Sequence, residues 1–284
     1  MKNSRLLLII PALLISSCGD AQSYGKKITL EKAKEVYEDI NDEYKISDGW
    51  VVSFSQEMVE GKDDNKTTQK MRYKAKKNAT SLYLNYRLNS QSNGDRTNIH
   101  NEYYVFPDEK RHEILYVKSE NLITEQKTEI AIDNSYYYYG YSSTLINEFR
   151  YISEFEYATQ YSYPLSMLQS LMRGVDEEDG EEEENKYEFY SSRKGDLTIK
   201  YDFKLKSQKT SFDYEATKKG SAIFTFKDYK CTKLSANMVT VYGNKQTINI
   251  EYSYPKSIKI EPPEGWEDNL VGSSVSSTSS KSTW

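Results

Sequence analysis

Apolar and polar residues alternate with a period of two through most of the chain. In the clearest stretch, residues 197–206, every second side chain is apolar or aromatic: Leu197, Ile199, Tyr201, Phe203 and Leu205. This pattern is typical of a strand with one buried and one wet face. Comparable runs predict strands near residues 50–58, 71–75, 82–88, 99–106, 113–118, 128–133, 135–141, 187–189, 212–216, 222–226, 237–242 and 247–254.

Short turn signals separate several of these runs. Gly, Asn, Asp or Pro stands at residues 92–95, 107–108 and 243–244, and residues 218–220 are Lys-Lys-Gly. Each of these sequences favours a tight turn between neighbouring strands. The sequence therefore predicts antiparallel hairpins arranged as a meander.

Two segments have helical spacing instead. Near the N-terminus Thr29 is a plausible N-cap, and a turn at residues 47–49 ends the apolar stripe Ala33, Val36, Tyr37, Ile40 and Tyr44. In the middle of the chain a second stripe precedes Gly174: Leu165, Leu168, Leu171 and Met172. The predicted class is mainly β (α+β): a large curved antiparallel sheet or half-open barrel with an N-terminal helix and a central helical insert.

The first 18 residues have the organisation of an export signal. Lys2 and Arg5 precede an apolar stretch, residues 6–15, that is too short to span a bilayer. Residues 15–18, Ile-Ser-Ser-Cys, resemble the lipobox of bacterial lipoproteins, although Leu commonly stands where Ile15 does. The resemblance implies a diacylglyceryl group on Cys18 and cleavage before it. The alternatives are an ordinary secretory signal with an incidental Cys18, or an apolar core segment.

The rest of the chain divides by composition. After the signal (residues 1–17), residues 18–27 suit a lipidated Cys18 and a polar spacer, and residues 28–268 form the β-rich domain. Residues 269–284 contain seven Ser and predict a flexible tail. Residues 176–184 contain eight acids and predict a solvated loop.

Charge excludes one class of partner. The net charge is -5, and removal of Lys2 and Arg5 with the signal leaves 36 basic against 43 acidic residues. Outside residues 176–184 the mature chain has 36 basic and 35 acidic residues. There is no basic excess of the kind that neutralises phosphates, so nucleic acid is not an expected partner.

Motifs for catalysis and metal binding are missing from the sequence. His100 and His112 belong to no helical metal-binding pair, and there is neither a nucleophile elbow nor a phosphate loop. The acidic run misses the EF-hand spacing. Cys231 lies in a β-like run, where a buried, inert thiol is expected. We therefore expect no enzyme activity, no cofactor and no metal.

Tyrosine is abundant, with 26 residues. Two dense groups stand out: Tyr136, Tyr137, Tyr138, Tyr139 and Tyr141, then Tyr151, Tyr157, Tyr161 and Tyr163. Tyrosine suits positions that are apolar on one side and wet on the other, so these groups could line a ligand cavity or a protein-facing patch. They could equally reflect composition alone, because strand tyrosines ordinarily pack.

The order of elements over residues 26–268 resembles the bacterial lipoprotein-carrier and lipid-carrier family. The resemblance implies a curved sheet that wraps helices and holds acyl chains, but it carries over no site residue. It predicts a membrane-anchored lipoprotein that binds a lipid or other apolar ligand at the extracytoplasmic surface. Inward positions could be packed core or cavity wall: Leu82, Leu84, Tyr86, Ile199 and Tyr201. The alternative function is a surface-displayed protein-interaction module without a small-molecule ligand.

Overall fold

A computed structural model provides the structure of the protein. It describes residues 24–44, 49–61, 66–92, 94–109, 113–133, 183–205, 217–240 and 243–271, together with residues 155, 164, 168, 169 and 172. The predicted signal sequence and Cys18 lie outside these residues, as do His112, the two tyrosine groups, the strands predicted at residues 135–141 and 212–216, and residues 176–182 of the acidic run.

The described residues contain one α-helix and twelve strands. The helix is α1, Leu30–Glu43. The first seven strands are β1 Lys26–Ile28, β2 Trp50–Glu60, β3 Thr67–Lys77, β4 Leu82–Ser92, β5 Asp95–Pro107, β6 Glu113–Asn121 and β7 Gln126–Asp133. The remaining five are β8 Glu183–Ser191, β9 Leu197–Leu205, β10 Thr217–Lys227, β11 Lys230–Thr240 and β12 Lys245–Ser253.

All twelve strands form one antiparallel sheet. Its order is β1-β8-β9-β10-β11-β12-β2-β3-β4-β5-β6-β7. It therefore consists of two sequential meanders, β2 to β7 and β8 to β12, that pair along β12 and β2. The prediction of a mainly β protein with a large curved antiparallel sheet and an N-terminal helix is confirmed.

Helix α1 forms where the sequence predicted it. Thr29 is the N-cap, and its Oγ1 accepts a hydrogen bond from the Lys32 N–H at 3.3 Å. Three residues of the predicted stripe, Ala33, Val36 and Ile40, are buried. The helix packs against β8 and β9, so it covers one face of the sheet at that end.

Two of the predicted hairpin turns are confirmed, and a third is wrong. Gly94 and Gly243 occupy turns with φ of +90° and +85°. The residues Lys218, Lys219 and Gly220 lie inside β10 rather than in a turn. A glycine stands at position 220 because of packing, since the ring of Phe203 lies where a Cβ atom would be. The glycine makes room for that ring instead of turning the chain.

The β10–β11 hairpin turns at Asp228 and Tyr229, which carry no glycine signal. Both have positive φ, +52° and +62°, as a tight hairpin requires. The turn is held by the neighbouring loop, because the Tyr229 N–H donates to the Gly195 carbonyl at 2.9 Å. The Asp228 N–H donates to Asp196 Oδ1 at 2.9 Å. We call this connection between the two loops the turn clasp.

Asp196 is the centre of the turn clasp and is only 7% exposed. Its carboxylate also accepts hydrogen bonds from Ser192 Oγ and from Arg193 Nε. Burial by itself raises the pKa of Asp196, but these hydrogen bonds and the Arg193 charge outweigh it and hold the pKa below its usual value. The folded protein therefore favours the ionised carboxylate.

The C-terminal part of the described chain covers the β7 edge. Trp266 begins a short 3₁₀ helix, Trp266–Asn269, and packs against Phe106 with ring centroids 5.2 Å apart. Leu270 then bridges Ala131 of β7, and the Val271 N–H donates to the Ala131 carbonyl at 2.8 Å. Residues 269–271 of the predicted tail thus belong to the fold, and residues 272–284 lie outside the described residues.

Candidate functional site

The two faces of the sheet have different surroundings. Residues directly opposite each other on antiparallel strands share a face, so the register defines lateral rows of side chains. One such row crosses the sheet through Val52, Ala75 and Leu84. These residues share a core cluster with Ala33 and Ile40 of α1. We call this face the inner face and the opposite one the outer face.

One half of the inner face is solid core. Val52, Ala75 and Leu84 are 0% exposed. The next row towards the same end is also buried: Leu82, Val105, Leu115 and Ile132. Leu168 and Met172, from the insert between β7 and β8, are buried in the same cluster. We call this region the packed half.

Towards the other end of the strands the inner face stays mostly apolar, with Gln56 as a polar residue in its central row, but its side chains are less deeply buried. Except for the buried Ala222, its side chains are half-buried: Tyr187, Tyr201, Phe203, Gly220, Ala236, Met238, Ile248, Met58, Met71, Leu88 and Ile99. We call this region the open half. On strand β4 the change occurs over four residues, from Leu84 at 0% exposure to the half-buried Leu88.

The open half has a low floor between taller walls. Ala222 and Ala236 lie side by side on β10 and β11, where small side chains leave space above the sheet, whereas the space above Gly220 is filled by the Phe203 ring. Tyr201 forms one wall and stacks on Tyr187 and Phe203, with ring centroids 4.6 and 5.1 Å apart. The opposite wall follows the row Ile248, Gln56, Met71 and Leu88, and is apolar except at Gln56.

A recess of about 570 Å³ lies at the β9 to β12 end of the sheet. Its lining includes the inner-face residues Phe203 and Met238 and the outer-face residues Lys204, Lys219 and Lys245, so it extends around the strand ends instead of lying on the inner face alone. That volume is within the range of small-molecule sites. Near the strand ends the inner-face positions become polar: Gln69, Ser90, Thr97 and Gln246, followed by Glu60 and Asp95 in the last row. The open half is thus a largely apolar groove with a polar rim whose outermost row carries two carboxylates.

A row of aromatic rings separates the two halves. Phe54 and Tyr73 stack with centroids 4.5 Å apart, and Phe155 meets Tyr73 edge-on at 5.0 Å. Tyr86 continues this row on β4, and burial raises the pKa of its phenol. These rings form the closed end of the groove.

The structure separates the inward residues that the sequence left ambiguous. Leu82, Leu84 and Ile199 are 2%, 0% and 1% exposed and belong to the packed core. Tyr86 and Tyr201 are half-buried at the groove. Sequence reasoning missed the floor, because the pairing of Ala222 with Ala236 follows only from the β10–β11 register. The sequence signal for this floor is small residues at inward positions of adjacent strands. It can be recognised only once the register of the strands is known.

Other chemistry-bearing residues lie away from the groove. His100 is on the outer face, where its Nε2 is 2.9 Å from Asn85 Nδ2, and Glu102 and Glu120 approach different ring nitrogens at 4.0 Å. This arrangement does not chelate a metal. Within the described part of the chain no group of three or more His, Cys, Asp or Glu could hold a metal ion.

Cys231 is fully buried, as expected from the sequence. Burial raises the pKa of the Cys231 thiol to about 12, so it stays protonated and unreactive at neutral pH. Its backbone carbonyl accepts a hydrogen bond from the Tyr254 hydroxyl at 2.8 Å. Among the described residues, no helix is long and apolar enough to cross a membrane.

No protein-family model and no curated protein matches this sequence. Solved structures with some likeness include a DUF1329 family protein from Desulfovibrio piger ATCC 29098, with 10% identity, a TM-score of 0.24 and coverage of 81% of this chain and 95% of that one. Another is a putative outer membrane lipoprotein-sorting protein domain from Vibrio parahaemolyticus, with 9% identity, a TM-score of 0.21 and the same coverage. Likeness at this level carries no argument about function.

Proposed function

We propose that this protein is a membrane-anchored lipoprotein that binds a lipid or other apolar ligand in the open half of the inner face, on the extracytoplasmic side. The observation that supports this most directly is the half-buried apolar surface of β9 to β12 and β2 to β4, next to a fully packed half of the same face. We also propose that it acts by binding and not by catalysis.

The chemistry of the groove favours an extended apolar ligand. Each methylene that moves from water into such a groove contributes about 0.8 kcal/mol. The floor residues Ala222 and Ala236 offer no polar side chain, so selectivity for a head group rests with the rim. Amide and hydroxyl groups such as Gln246 and Thr97 can donate to and accept from a neutral or ester-linked head.

Ala236→Phe is expected to lower the affinity for a fluorescent fatty-acyl probe by about tenfold. A ring on the floor displaces roughly two methylenes of ligand, and two methylenes correspond to that factor. Ser53→Phe is the matched control, because Ser53 is exposed on the outer face of β2. Probe titration of both variants is the measurement. Equal affinity for wild type and Ala236→Phe would contradict the groove assignment.

Mass spectrometry of the gently purified protein tests the ligand class directly. A carrier retains lipid through purification, and the amount retained should fall in Ala236→Phe but not in Ser53→Phe. If no lipid is retained and no probe binds to wild type, the alternative of a surface-displayed protein-interaction module is favoured instead.

The membrane anchor in this proposal rests on the sequence of residues 15–18. Cys18→Ala is expected to release the protein from membranes or leave an unprocessed precursor, because one diacylated cysteine would be the only lipid tether. Metabolic labelling with a radioactive fatty acid measures this. Cys231→Ala is the control and should label like wild type, and equal labelling of wild type and Cys18→Ala would refute the anchor.

A further inference from the structure

The outer face of the sheet carries a stripe of basic side chains on two central strands. Arg72, Lys74 and Lys76 alternate along β3, and Arg87 stands directly opposite Arg72 on β4. Alternate residues of a strand are about 6.6 to 6.8 Å apart, so the three β3 side chains form a straight row. We call these four residues the cationic stripe.

Within the part of the chain that the structure describes, the cationic stripe has no carboxylate partners. Lys70 is the next residue on the same face of β3 and pairs with Glu57 at 3.1 Å. No ion pair joins any of the four stripe residues to another described residue. The carboxylates nearest in register are occupied elsewhere. Glu102 accepts from Tyr83 and Asn85 at 2.9 and 3.0 Å, and Glu251 lies 3.8 Å from Lys233.

On the same face, other neighbouring strands carry oppositely charged side chains that form ion pairs across the strands. Between β6 and β7, Lys118 lies 3.5 Å from Glu129 and Lys127 lies 3.0 Å from Glu120. By contrast, Arg72 and Arg87 are a directly opposed pair of like charges, which destabilises a sheet. An uncompensated cost of this kind in a chain of net charge -5 indicates a surface kept for binding anions.

We propose that the cationic stripe docks onto the anionic phospholipid head groups of a bilayer. Exposed clusters of Lys and Arg bind such surfaces electrostatically. Lys76 stands opposite Tyr83, whose ring lies 4.7 Å from that of Tyr104, and amphipathic tyrosines suit the head-group zone. The contact uses the face opposite the groove, so it does not depend on the proposed ligand and turns the open half away from the bilayer.

The test is co-sedimentation with vesicles, using the full chain with Cys18→Ala in every sample so that no lipid anchor contributes. The stripe variant combines Arg72→Gln, Lys74→Gln and Arg87→Gln. The matched control combines Lys26→Gln, Lys227→Gln and Lys256→Gln, three exposed lysines outside the stripe that form no ion pair with another described residue. Phosphatidylcholine vesicles with and without phosphatidylglycerol are the probes.

We expect the parent chain and the control to sediment with phosphatidylglycerol vesicles far more than with pure phosphatidylcholine, and salt should release them. The stripe variant should lose about tenfold to a hundredfold in partitioning to the anionic vesicles. Its thermal midpoint should stay equal or rise, since a like-charge pair is removed. That stability result separates a binding role from a structural one.

Several outcomes would overturn the docking proposal. One is an equal loss of partitioning in the stripe variant and the control, because net charge alone would then explain binding. Another is vesicle partitioning of the parent chain that does not depend on phosphatidylglycerol. A third is stripe-dependent binding to heparin, a soluble polyanion, without binding to anionic vesicles, which would assign the stripe to a different partner.

Discussion

Truncation of Leu84 to alanine is expected to lower the free energy of unfolding by about 2 to 5 kcal/mol, the range for large-to-small changes in a packed core. Leu84 is 0% exposed and lies in the core cluster that joins both meanders and α1. Its neighbours cannot collapse fully around the missing atoms, because the strands that carry them are fixed by pairing on both sides.

The matched variant is Leu88→Ala, on the same face of the same strand but in the open half. A half-buried leucine has less apolar area to lose and leaves no closed cavity, so we expect a cost of roughly 1 kcal/mol. Urea unfolding of both variants measures the difference. If the two truncations cost the same, the open half is packed like the core, and the groove does not exist.

The second large effect concerns the turn clasp. Asp196→Asn is expected to cost about 1.5 to 3 kcal/mol, the range for hydrogen bonds to a charged group. The amide that replaces the carboxylate has only one acceptor oxygen for three donors: Ser192 Oγ, Arg193 Nε and the Asp228 N–H. Asp202→Asn, at an exposed site on β9, is the control and should stay within about 0.5 kcal/mol of wild type.

The turn clasp also predicts a pH dependence. Because the folded pKa of Asp196 lies below its usual value, the stabilisation is fully present above the unfolded pKa of about 3.9. It is lost as the pH falls through the folded pKa. The difference in unfolding free energy between wild type and Asp196→Asn should therefore be constant near neutral pH and shrink below about pH 4. A difference that grows in acid would contradict this assignment.

Local pattern was enough to predict most of the fold. The alternation from Leu197 to Leu205 predicts β9, and the stripe after Thr29 predicts α1, because in both cases one apolar face must be buried. The turn at Asp228 and Tyr229 was not predicted, because Asp tolerates positive φ but tyrosine rarely adopts it, and no glycine follows Asp228. Contacts with a loop distant in sequence hold that turn, and no local pattern encodes them.

The sequence could predict inward apolar residues and an apolar binding cavity, but not where on the sheet the groove lies. The sequence identified Leu84 and Tyr201 as inward residues but could not say which of them is covered. Coverage depends on where α1 and the insert lie over the sheet, which is a tertiary property. The cationic stripe was not predictable from the sequence either. Arg72 and Arg87 are 15 positions apart in sequence, and only the β3–β4 register places them opposite each other.

The order of strands also determines how a partly made chain is exposed. During synthesis the strands β2 to β7 can pair with one another once Asp133 has been made. The other edge of β2 stays unpaired until β12 is complete at Ser253. Until then the backbone of β2 is an open edge, and open edges recruit strands from other chains. A chain of this topology is therefore most prone to aggregate before β12 is made, because β12 pairs with the exposed edge of β2.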